Sequence, residues 1–396
     1  MQNNREVVVL SAVRTPIGRY GGSLKDTPMT ELAGIVTREA INRAGIAPAD
    51  VEHVVFGNVI HTEPRDMYLS RVAALNAGIP VETPALTLNR LCGSGLQGIV
   101  SAAQCIWLGD ATIAIGGGAE SMSRAPYWLT GLRWGQRMND APALDIMVNA
   151  LTDPWEKVHM GVSVEAIAQK WGITREEQDK LAVTSHQRAS NAVKNCFFGS
   201  QIVPIEIKDK KTTIKFEKDE GPRADTTLEG LAKLKPAFSK DGTVTAGNAS
   251  SINDDAAAVV LCEKTAAGER GLKPIARLVD YAIVGVEPKF MGIGPVPAVR
   301  KVLQRTGMKI DDLDVFEVNE AFAVQAIAVA RELGLPPEKT NPNGSGISLG
   351  HPVGATGAII TVKLIHELRR TGGRFGLATM CIGGGQGMAA IFEALK

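Results

Sequence analysis

An internal repeat constrains the fold of this 396-residue chain more than any other feature of its sequence. Three pairs of segments match in the same order: 47–58 with 309–320, Cys92-Gly-Ser-Gly95 with His351-Pro-Val-Gly354, and Ile115-Gly-Gly-Gly118 with Ile382-Gly-Gly-Gly385. In the first pair, an acidic helix start leads into an apolar strand that ends near an asparagine. The repeat predicts two similar halves, and their packing face to face would bring Cys92 and His351 together at equivalent helix N-termini.

Short apolar runs alternate with longer segments of helical period in both halves. This alternation predicts βαβ units, an α/β fold and a mostly parallel sheet covered on both faces. The predicted strands are Val7–Leu10, Val54–Phe56, Ile113–Ile115, Ile275–Leu278, Val315–Val318 and Leu377–Met380. The predicted helices are Met29–Ala44, Ser94–Leu108, Ala298–Thr306, Ala321–Leu333 and Gly357–Arg370.

The composition changes between residues 121 and 251, which predicts an inserted domain with its own solvent-exposed face. This segment holds the tryptophans Trp128, Trp134, Trp155 and Trp171. Within residues 206–240 it also holds a run of basic residues that includes Lys208, Lys210, Lys211, Lys215, Lys218, Arg223, Lys233 and Lys235. Such a run is typical of a solvated surface, and the alternative is local attraction for a phosphorylated ligand.

Charge and cysteine content exclude several classes of protein. The 43 basic and 42 acidic residues give a net charge of +1, which argues against a nucleic-acid binder and against electrostatic membrane docking. The five cysteines include no CxxC pair, so neither a disulfide framework nor a zinc site is expected. No apolar stretch approaches a membrane span and no secretory leader or peroxisomal signal is visible, so we expect a cytoplasmic protein.

Cys92 is the first candidate for chemistry. It directly precedes a predicted helix, where backbone N–H groups and the helix dipole would lower its pKa. Flanking glycines would let a substrate carbonyl approach the sulfur. The alternative is a small buried hydrophobe, the common role of a free cysteine. Residues 93–98 also spell GxGxxG, but this dinucleotide pattern lies far from the first strand and is a weak signal.

Three further residues end strands or precede helices. His351 lies among five glycines in residues 343–357, where it could take a proton from a thiol and later donate one. Cys381 ends an apolar strand before a glycine turn whose N–H groups could bind an oxyanion. Asn319 ends another strand and could orient a water molecule. Because ligands of open α/β sheets bind at the carboxyl ends of strands, these side chains predict one polar site.

Together these motifs resemble those of the thiolase family over essentially the whole chain. The matching segments are Arg14-Thr-Pro-Ile-Gly18, 89–95, 117–122, Asn319-Glu-Ala-Phe322, Gly350-His-Pro352 and Cys381-Ile-Gly-Gly-Gly385. The resemblance implies a five-layer αβαβα fold of two similar halves. The first half is residues 1–120, completed by 252–273, and the second is 274–396. Residues 121–251 are then an inserted loop domain that binds coenzyme A, and the family usually forms homotetramers, sometimes dimers.

The resemblance also implies roles for individual residues. Cys92 would be the acylated nucleophile, His351 its base and Cys381 a second acid/base. Asn319, through a water, and His351 would form one oxyanion hole, and the N–H groups of Cys92 and Gly383 another. The residues implied for coenzyme A are Leu151, His159, Met160, Arg223, Gly230, Leu234, Ala246, Gly247, Ser250, Ala321 and Phe322. The chain departs from the family at Gly230, often a serine, and at Ser251 and Asp255, often glycines.

The implied reaction is a reversible Claisen condensation of an acyl-CoA with acetyl-CoA, run by a ping-pong mechanism through an acyl-cysteine. Coenzyme A thioesters would be substrates and products, with no tightly bound cofactor and no metal. Met291 would face the acyl group, and its flexible thioether predicts a short-to-medium chain range. The alternatives are a strict acetoacetyl-CoA thiolase, a decarboxylating condensing enzyme of the same superfamily, and an acyl-CoA carrier without activity.

Overall fold

The computed structural model describes residues 5–209 and 212–395. Its strands are β1 Val7–Arg14, β2 Gly18–Arg19, β3 His53–Gly57, β4 Ala85–Leu88, β5 Ile113–Ser121, β6 Tyr127–Trp128, β7 Leu144–Asp145, β8 Ile205–Asp209, β9 Thr212–Phe216, β10 Asn253–Glu263, β11 Ala276–Gly285, β12 Val315–Val318, β13 Phe375–Ile382 and β14 Gln386–Ala394. Its helices are α1 Met29–Ala44, α2 Leu69–Asn76, α3 Ser94–Leu108, α4 Ile146–Ala150, α5 Met160–Trp171, α6 Arg175–Lys194, α7 Leu228–Ala232, α8 Lys264–Glu269, α9 Pro295–Thr306, α10 Ala323–Leu333, α11 Gly346–Leu349 and α12 Thr356–Thr371.

The main strands follow one continuous hydrogen-bonded order, which a narrow junction divides into two sheets. The first has the order β4-β3-β5-β10-β1 and the second β12-β13-β14-β11. They are joined where β1 pairs with β11 through only two residue pairs, Val8 with Arg277 and Val9 with Ala276. Each sheet is therefore the framework of one half of the chain.

The sheets are mixed, so the prediction of a mostly parallel sheet was wrong. β3 runs parallel to β4 and β5, and β12 runs parallel to β13. The pairs involving β1, β10, β11 and β14 are antiparallel. Strands β10 and β14 were missed because each contains three alanines, which give little strand signal.

Five layers result, as the family resemblance implies. Helices α3 and α12 lie between the two sheets and share one core cluster. They approach closely because Gly95 and Gly357 lack side chains: a Cβ on Gly95 would lie 2.6 Å from the Ala358 nitrogen, and one on Gly357 2.3 Å from the Leu96 nitrogen. Helices α1 and α2 cover the outer face of the first sheet, and α9 and α10 cover that of the second.

The strand register fixes how the halves correspond. His53 pairs with Ala114 in the first half, and Val315 pairs with Gly376 in the second, so that each residue has its counterpart 262 positions later. Helices α3 and α12 begin with the same offset.

This offset confirms the first match of the repeat and corrects the other two. The counterpart of Cys92 is Gly354, so Cys92 lies two residues before its helix and His351 five before the equivalent helix. Pro352 lies four residues before α12. Glycines 116–118 lie inside β5, whereas 383–385 form the turn that follows β13.

Residues 121–251 lie between β5 and β10, which are neighbours in the first sheet. The lysines 208, 215, 218, 233 and 235 are exposed. Lys210 and Lys211 lie outside the described residues.

One stretch of the described chain is long and apolar enough to cross a membrane when only length and composition are considered. This window, Leu91–Leu108, has a mean hydropathy of 1.2, but 67% of it is buried inside the protein. Its hydropathy is accounted for by the central position of α3.

Candidate active site

A strained turn between β4 and α3 carries Cys92. Leu91, directly before it, has a φ of +46°, a left-handed conformation that is rare for a bulky residue. Three hydrogen bonds hold the turn: Leu91 N–H donates to Asn89 Oδ1 at 2.8 Å, Arg90 N–H donates to Ser94 Oγ at 2.8 Å, and Ser94 Oγ donates to the Leu91 carbonyl at 2.7 Å. The backbone at the candidate nucleophile is thus fixed by its immediate neighbours.

The Cys92 thiol is buried, with 7% of the residue exposed. Burial raises the pKa of Cys92 to about 11, although the backbone N–H groups of Gly383 and of Cys92 itself act to lower it. The prediction of a lowered pKa was therefore wrong for this pocket, because desolvation outweighs the backbone dipoles. Cys92 is a neutral thiol that needs a base to become a nucleophile.

His351 is held by both its backbone and its ring. Its N–H donates to Asn253 Oδ1 at 3.0 Å, and its Nδ1 lies 2.6 Å from Thr356 Oγ1. Because Thr356 Oγ1 donates its own proton to the Pro352 carbonyl at 2.8 Å, it accepts from Nδ1–H. Nε2 then carries the lone pair. Burial lowers the pKa of His351 to about 4, so the ring is neutral and can accept a proton.

Cys381 and Asn319 come from the ends of neighbouring parallel strands. Cys381 is buried in β13, and burial together with the nearby Cys92 raises the pKa of its thiol strongly. Asn319 follows β12, and its Nδ2 lies 3.4 Å from Nε2 and 3.5 Å from Nδ1 of His351. Among the described residues its Oδ1 has no hydrogen-bond partner, an exception for a fully buried amide.

One cavity of about 640 Å³ brings most of these residues together. Cys92, His351 and Cys381 line it. Of the residues implied for coenzyme A and the acyl group, the following also line it: Leu151, His159, Met160, Arg223, Leu234, Ala246, Gly247, Ser250, Met291, Ala321 and Phe322. Asn319 and Gly383 are buried just behind its wall, beside His351 and Cys92 respectively. Gly230 does not line the cavity, and its N–H donates to Thr227 Oγ1.

Of the other two departures from the family pattern, Ser251 lies at the cavity and Asp255 does not. Ser251 lines it, and the Ser251 carbonyl accepts from the His351 N–H at 3.3 Å. Asp255 is buried away from the cavity, where Thr15 Oγ1 donates to its carboxylate at 3.0 Å. Burial raises the pKa of Asp255 well above its ordinary value.

Sequence reasoning missed several residues of the site. His186 carries no motif that marks it as functional, yet it lines the cavity and its Nδ1 accepts from the Arg223 N–H at 3.2 Å. Phe238 stacks on His159 with ring centroids 4.6 Å apart. No local signal marks either contact, since both arise from chain segments distant in sequence. Thr356 could have been found, because it lies only five residues beyond His351.

Comparisons with known proteins agree with this geometry. The sequence model of the thiolase N-terminal domain matches residues 7–265, and that of the thiolase C-terminal domain matches residues 272–394. The chain belongs to the thiolase family. The chain is 61% identical to the beta-ketothiolase BktB of Cupriavidus necator over 392 residues, which cover 99% of this chain and 100% of the relative.

Solved thiolases have the same fold. The chain matches the acetyl-CoA acetyltransferase of Bacillus anthracis with a TM-score of 0.97 at 48% identity, over 99% of each chain. It matches the human mitochondrial 3-ketoacyl-CoA thiolase in complex with CoA with a TM-score of 0.96 at 45% identity, over 99% of this chain and 98% of the other. The protein is therefore an acyltransferase of the thiolase type, with coenzyme A thioesters as substrates and products.

Proposed function

We propose that this thiolase transfers an acyl group to Cys92 and then condenses it with acetyl-CoA, and that it also runs the reverse thiolysis. His351 takes the Cys92 proton and passes it to the coenzyme A thiolate that leaves. It then takes the proton of Cys381, whose thiolate removes the α-proton of the second acetyl-CoA, and His351 returns the proton that it holds to the Cys92 thiolate released by the condensation. Asn319, through a water, and His351 stabilise the enolate oxygen. The N–H groups of Cys92 and Gly383 stabilise the tetrahedral intermediate on Cys92.

The observation that carries this proposal is the meeting of two cysteines and one neutral histidine at a single cavity. A neutral thiol beside a neutral imidazole supports proton transfer as the sulfur attacks, so that no charge is buried before the substrate arrives. A thioester α-proton is too weak an acid for a thiolate alone, which is why donors to the enolate oxygen are needed.

Coenzyme A is proposed to lie along the cavity wall built by residues 246–250 and 321–323. These segments are paired: Ser250 N–H donates to the Ala321 carbonyl at 3.0 Å, and Ala323 N–H donates to the Asn248 carbonyl at 2.8 Å. Arg223 supplies a positive charge for the phosphates. Gly230 offers no side-chain hydrogen bond, so we expect that contact of related enzymes to be absent.

We also propose a short-to-medium acyl range. The proposal is supported by Met291, which lines the cavity and is 3% exposed, and whose unbranched thioether can adapt to different chains. Thiolysis kinetics over a series of 3-ketoacyl-CoA chain lengths tests it. We expect 3-ketohexanoyl-CoA to be cleaved at a rate comparable to acetoacetyl-CoA. Rejection of 3-ketohexanoyl-CoA with normal cleavage of acetoacetyl-CoA would instead favour the strict acetoacetyl-CoA thiolase.

A condensation assay with malonyl-CoA distinguishes this function from a decarboxylating condensation. Decarboxylating relatives lack the second cysteine, whereas Cys381 lines the cavity here. We expect no malonyl-dependent condensation. Coenzyme A binding without any turnover would instead favour an acyl-CoA carrier.

Self-association as a homotetramer is a further part of the proposal. It is supported by exposed apolar side chains around the β6–β7 hairpin, where Trp134 is 89% and Met138 80% exposed, and by Leu86 on the edge strand β4, which is 47% exposed. Light scattering should give four times the 42.0 kDa mass of one chain. The cytoplasmic location stays a prediction from the sequence.

A further inference from the structure

Arg90 joins the turn that carries Cys92 to the glycine turn on the opposite half. Its Nε donates to Gln97 Oε1 at 2.8 Å, and its Nη1 donates to Gln386 Oε1 at 3.0 Å. Gln97 lies on α3, and Gln386 begins β14 directly after the glycine turn 383–385. A single guanidinium therefore bridges two segments almost 300 residues apart.

The bridge formed by Arg90 contains no carboxylate. Among the described residues, no acidic oxygen forms an ion pair with Arg90, and both acceptors are neutral amides. A guanidinium that binds two neutral amides fixes the direction of both hydrogen bonds without forming an ion pair. Arg90 also does not line the cavity, so it acts on the site only through the segments it joins.

Both segments carry groups that act on the Cys92 sulfur. Leu91 and Cys92 follow Arg90 directly, and Leu91 holds the left-handed φ of +46°. The backbone N–H of Gly383, three residues before Gln386, faces the Cys92 thiol and acts to lower its pKa. The Leu91 side chain lies next to Gly383, so the two turns are also in contact.

We propose that Arg90 is a positioning residue that sets the distance between the Cys92 sulfur and the Gly383 N–H through its bridge to Gln386. This inference rests on the proposed role of Cys92 as the acylated nucleophile. Because a misplacement of about 1 Å at a reacting centre can cost about 100-fold in rate, a side chain outside the cavity can control the acylation step.

Two rates in Arg90→Ala test this role. One is the burst of coenzyme A released when the enzyme is acylated by acetyl-CoA, and the other is the alkylation of Cys92 by iodoacetamide at pH 8, followed by mass spectrometry. We expect the burst rate to fall by about 10- to 100-fold, from the loss of one oriented donor. We expect alkylation to slow several-fold, because the thiolate loses support from the Gly383 N–H. Arg90→Lys can reach only one of the two amide oxygens and should lie between the alanine variant and the wild type.

The partner and a matched control separate positioning from general destabilisation. Gln386→Ala should lose a similar factor, and Arg90→Ala with Gln386→Ala should lose no more than either alone. Arg71 is the control: its guanidinium holds the carbonyls of Thr83 and Val81, both at 2.6 Å, away from the cavity. Arg71→Ala should leave both rates within about 2-fold of the wild type.

Several results would overturn the inference. They are a wild-type burst and alkylation rate in Arg90→Ala, additive losses in the double variant, or equal losses in Arg71→Ala. A wild-type enzyme that releases no coenzyme A would overturn the proposed function instead. The alkylation rates would then still measure whether Arg90 positions the sulfur.

Discussion

The two halves of the molecule share a fold but not a set of functional groups. With the offset of 262 positions, Gly57 of the first half corresponds to Asn319, and Ala119 corresponds to Cys381. Two strand ends that carry an amide and a thiol in the second half carry no functional side chain in the first. The duplicated fold therefore builds one site rather than two.

Packing explains why the first half does not carry an asparagine at the matching strand end. A Cβ on Gly57 would lie 2.4 Å from the Ser94 carbonyl, so the start of α3 occupies the space that the Asn319 side chain uses in the other half. This close contact places the start of α3, and with it the turn that carries Cys92, directly against the strand end. The first half therefore has no side chain at this strand end, and the turn that carries its nucleophile Cys92 is held in a fixed position.

The first half also supports the histidine of the second. Glu120 Oε2 accepts from the Gly354 N–H at 2.9 Å, and its Oε1 accepts from Asn58 Nδ2 at 2.8 Å. Burial raises the pKa of Glu120 to about 8, against the lowering by the backbone N–H groups of Ile60, Val59 and Gly354. A buried carboxyl of one half thus fixes the loop that carries His351.

The largest loss of rate is expected from a substitution of Cys92 in the first half. Cys92→Ser replaces the thiol by a hydroxyl that a neutral imidazole cannot deprotonate as readily, so acyl-enzyme formation should fall at least about 10⁴-fold. The measurement is intact-protein mass after mixing with acetyl-CoA. Cys105→Ser is a matched control, since that thiol lies on the far part of α3, and it should acylate normally. An acetylated mass in Cys92→Ser would place the nucleophile elsewhere.

Cys381→Ser should slow condensation, which depends on the second half, without slowing acylation of Cys92 in the first half. Condensation should fall about 10³-fold because the α-proton is no longer removed, while Cys92 is still acylated at a rate near that of the wild type. His351→Ala should slow both steps, since its ring serves both thiols. Burst kinetics with acetyl-CoA measure acylation, and acetoacetyl-CoA synthesis measures condensation. Equal, mild losses in both variants would contradict the division of roles.

Asn319→Ala, which makes the second half resemble the first at that strand end, should lower condensation about 10²- to 10³-fold, the usual cost of one oxyanion donor. Acylation should change much less, because its tetrahedral intermediate faces the N–H groups of Cys92 and Gly383. The burst and synthesis assays again give the two rates. A larger loss in acylation than in condensation would assign Asn319 to the other oxyanion hole.

The sequence correctly predicts those features of the two halves that depend on local residue patterns. The bounds of α1 and α3, Met29–Ala44 and Ser94–Leu108, agree with the prediction because periodicity and a following glycine mark them. The register of the repeat beyond its first match was wrong, since short glycine-rich segments align in several ways. The direction of the Cys92 pKa shift was also wrong, because desolvation depends on which segments pack over the sulfur.

Thr356→Val, in the half that carries the base His351, should lower the reaction rates less than the substitutions above. The valine cannot accept from Nδ1–H of His351, so the ring loses the contact that selects its tautomer, and both steps should slow about 10-fold, the value of one buried hydrogen bond. Thr356→Ser keeps the hydroxyl and should restore most of the rate. Steady-state thiolysis of acetoacetyl-CoA gives the comparison, and a Ser variant as slow as the Val variant would contradict a role for the hydroxyl.

The last prediction concerns pH and tests whether Cys92 of the first half and His351 of the second meet as a neutral pair. With the pKa of Cys92 raised to about 11 and that of His351 lowered to about 4, neither group changes charge between pH 6 and 9 in the free enzyme. Alkylation of Cys92 by iodoacetamide should then rise about tenfold per pH unit across this range, following the thiolate fraction. Below this range, the pKa of His351 lies under its unfolded value, so neutral His351 stabilises the fold above about pH 6.5, and this contribution is lost as the pH falls toward 4. A plateau in alkylation from pH 6 upward would mean a thiolate–imidazolium pair, in which the two halves are joined by charge before the substrate binds.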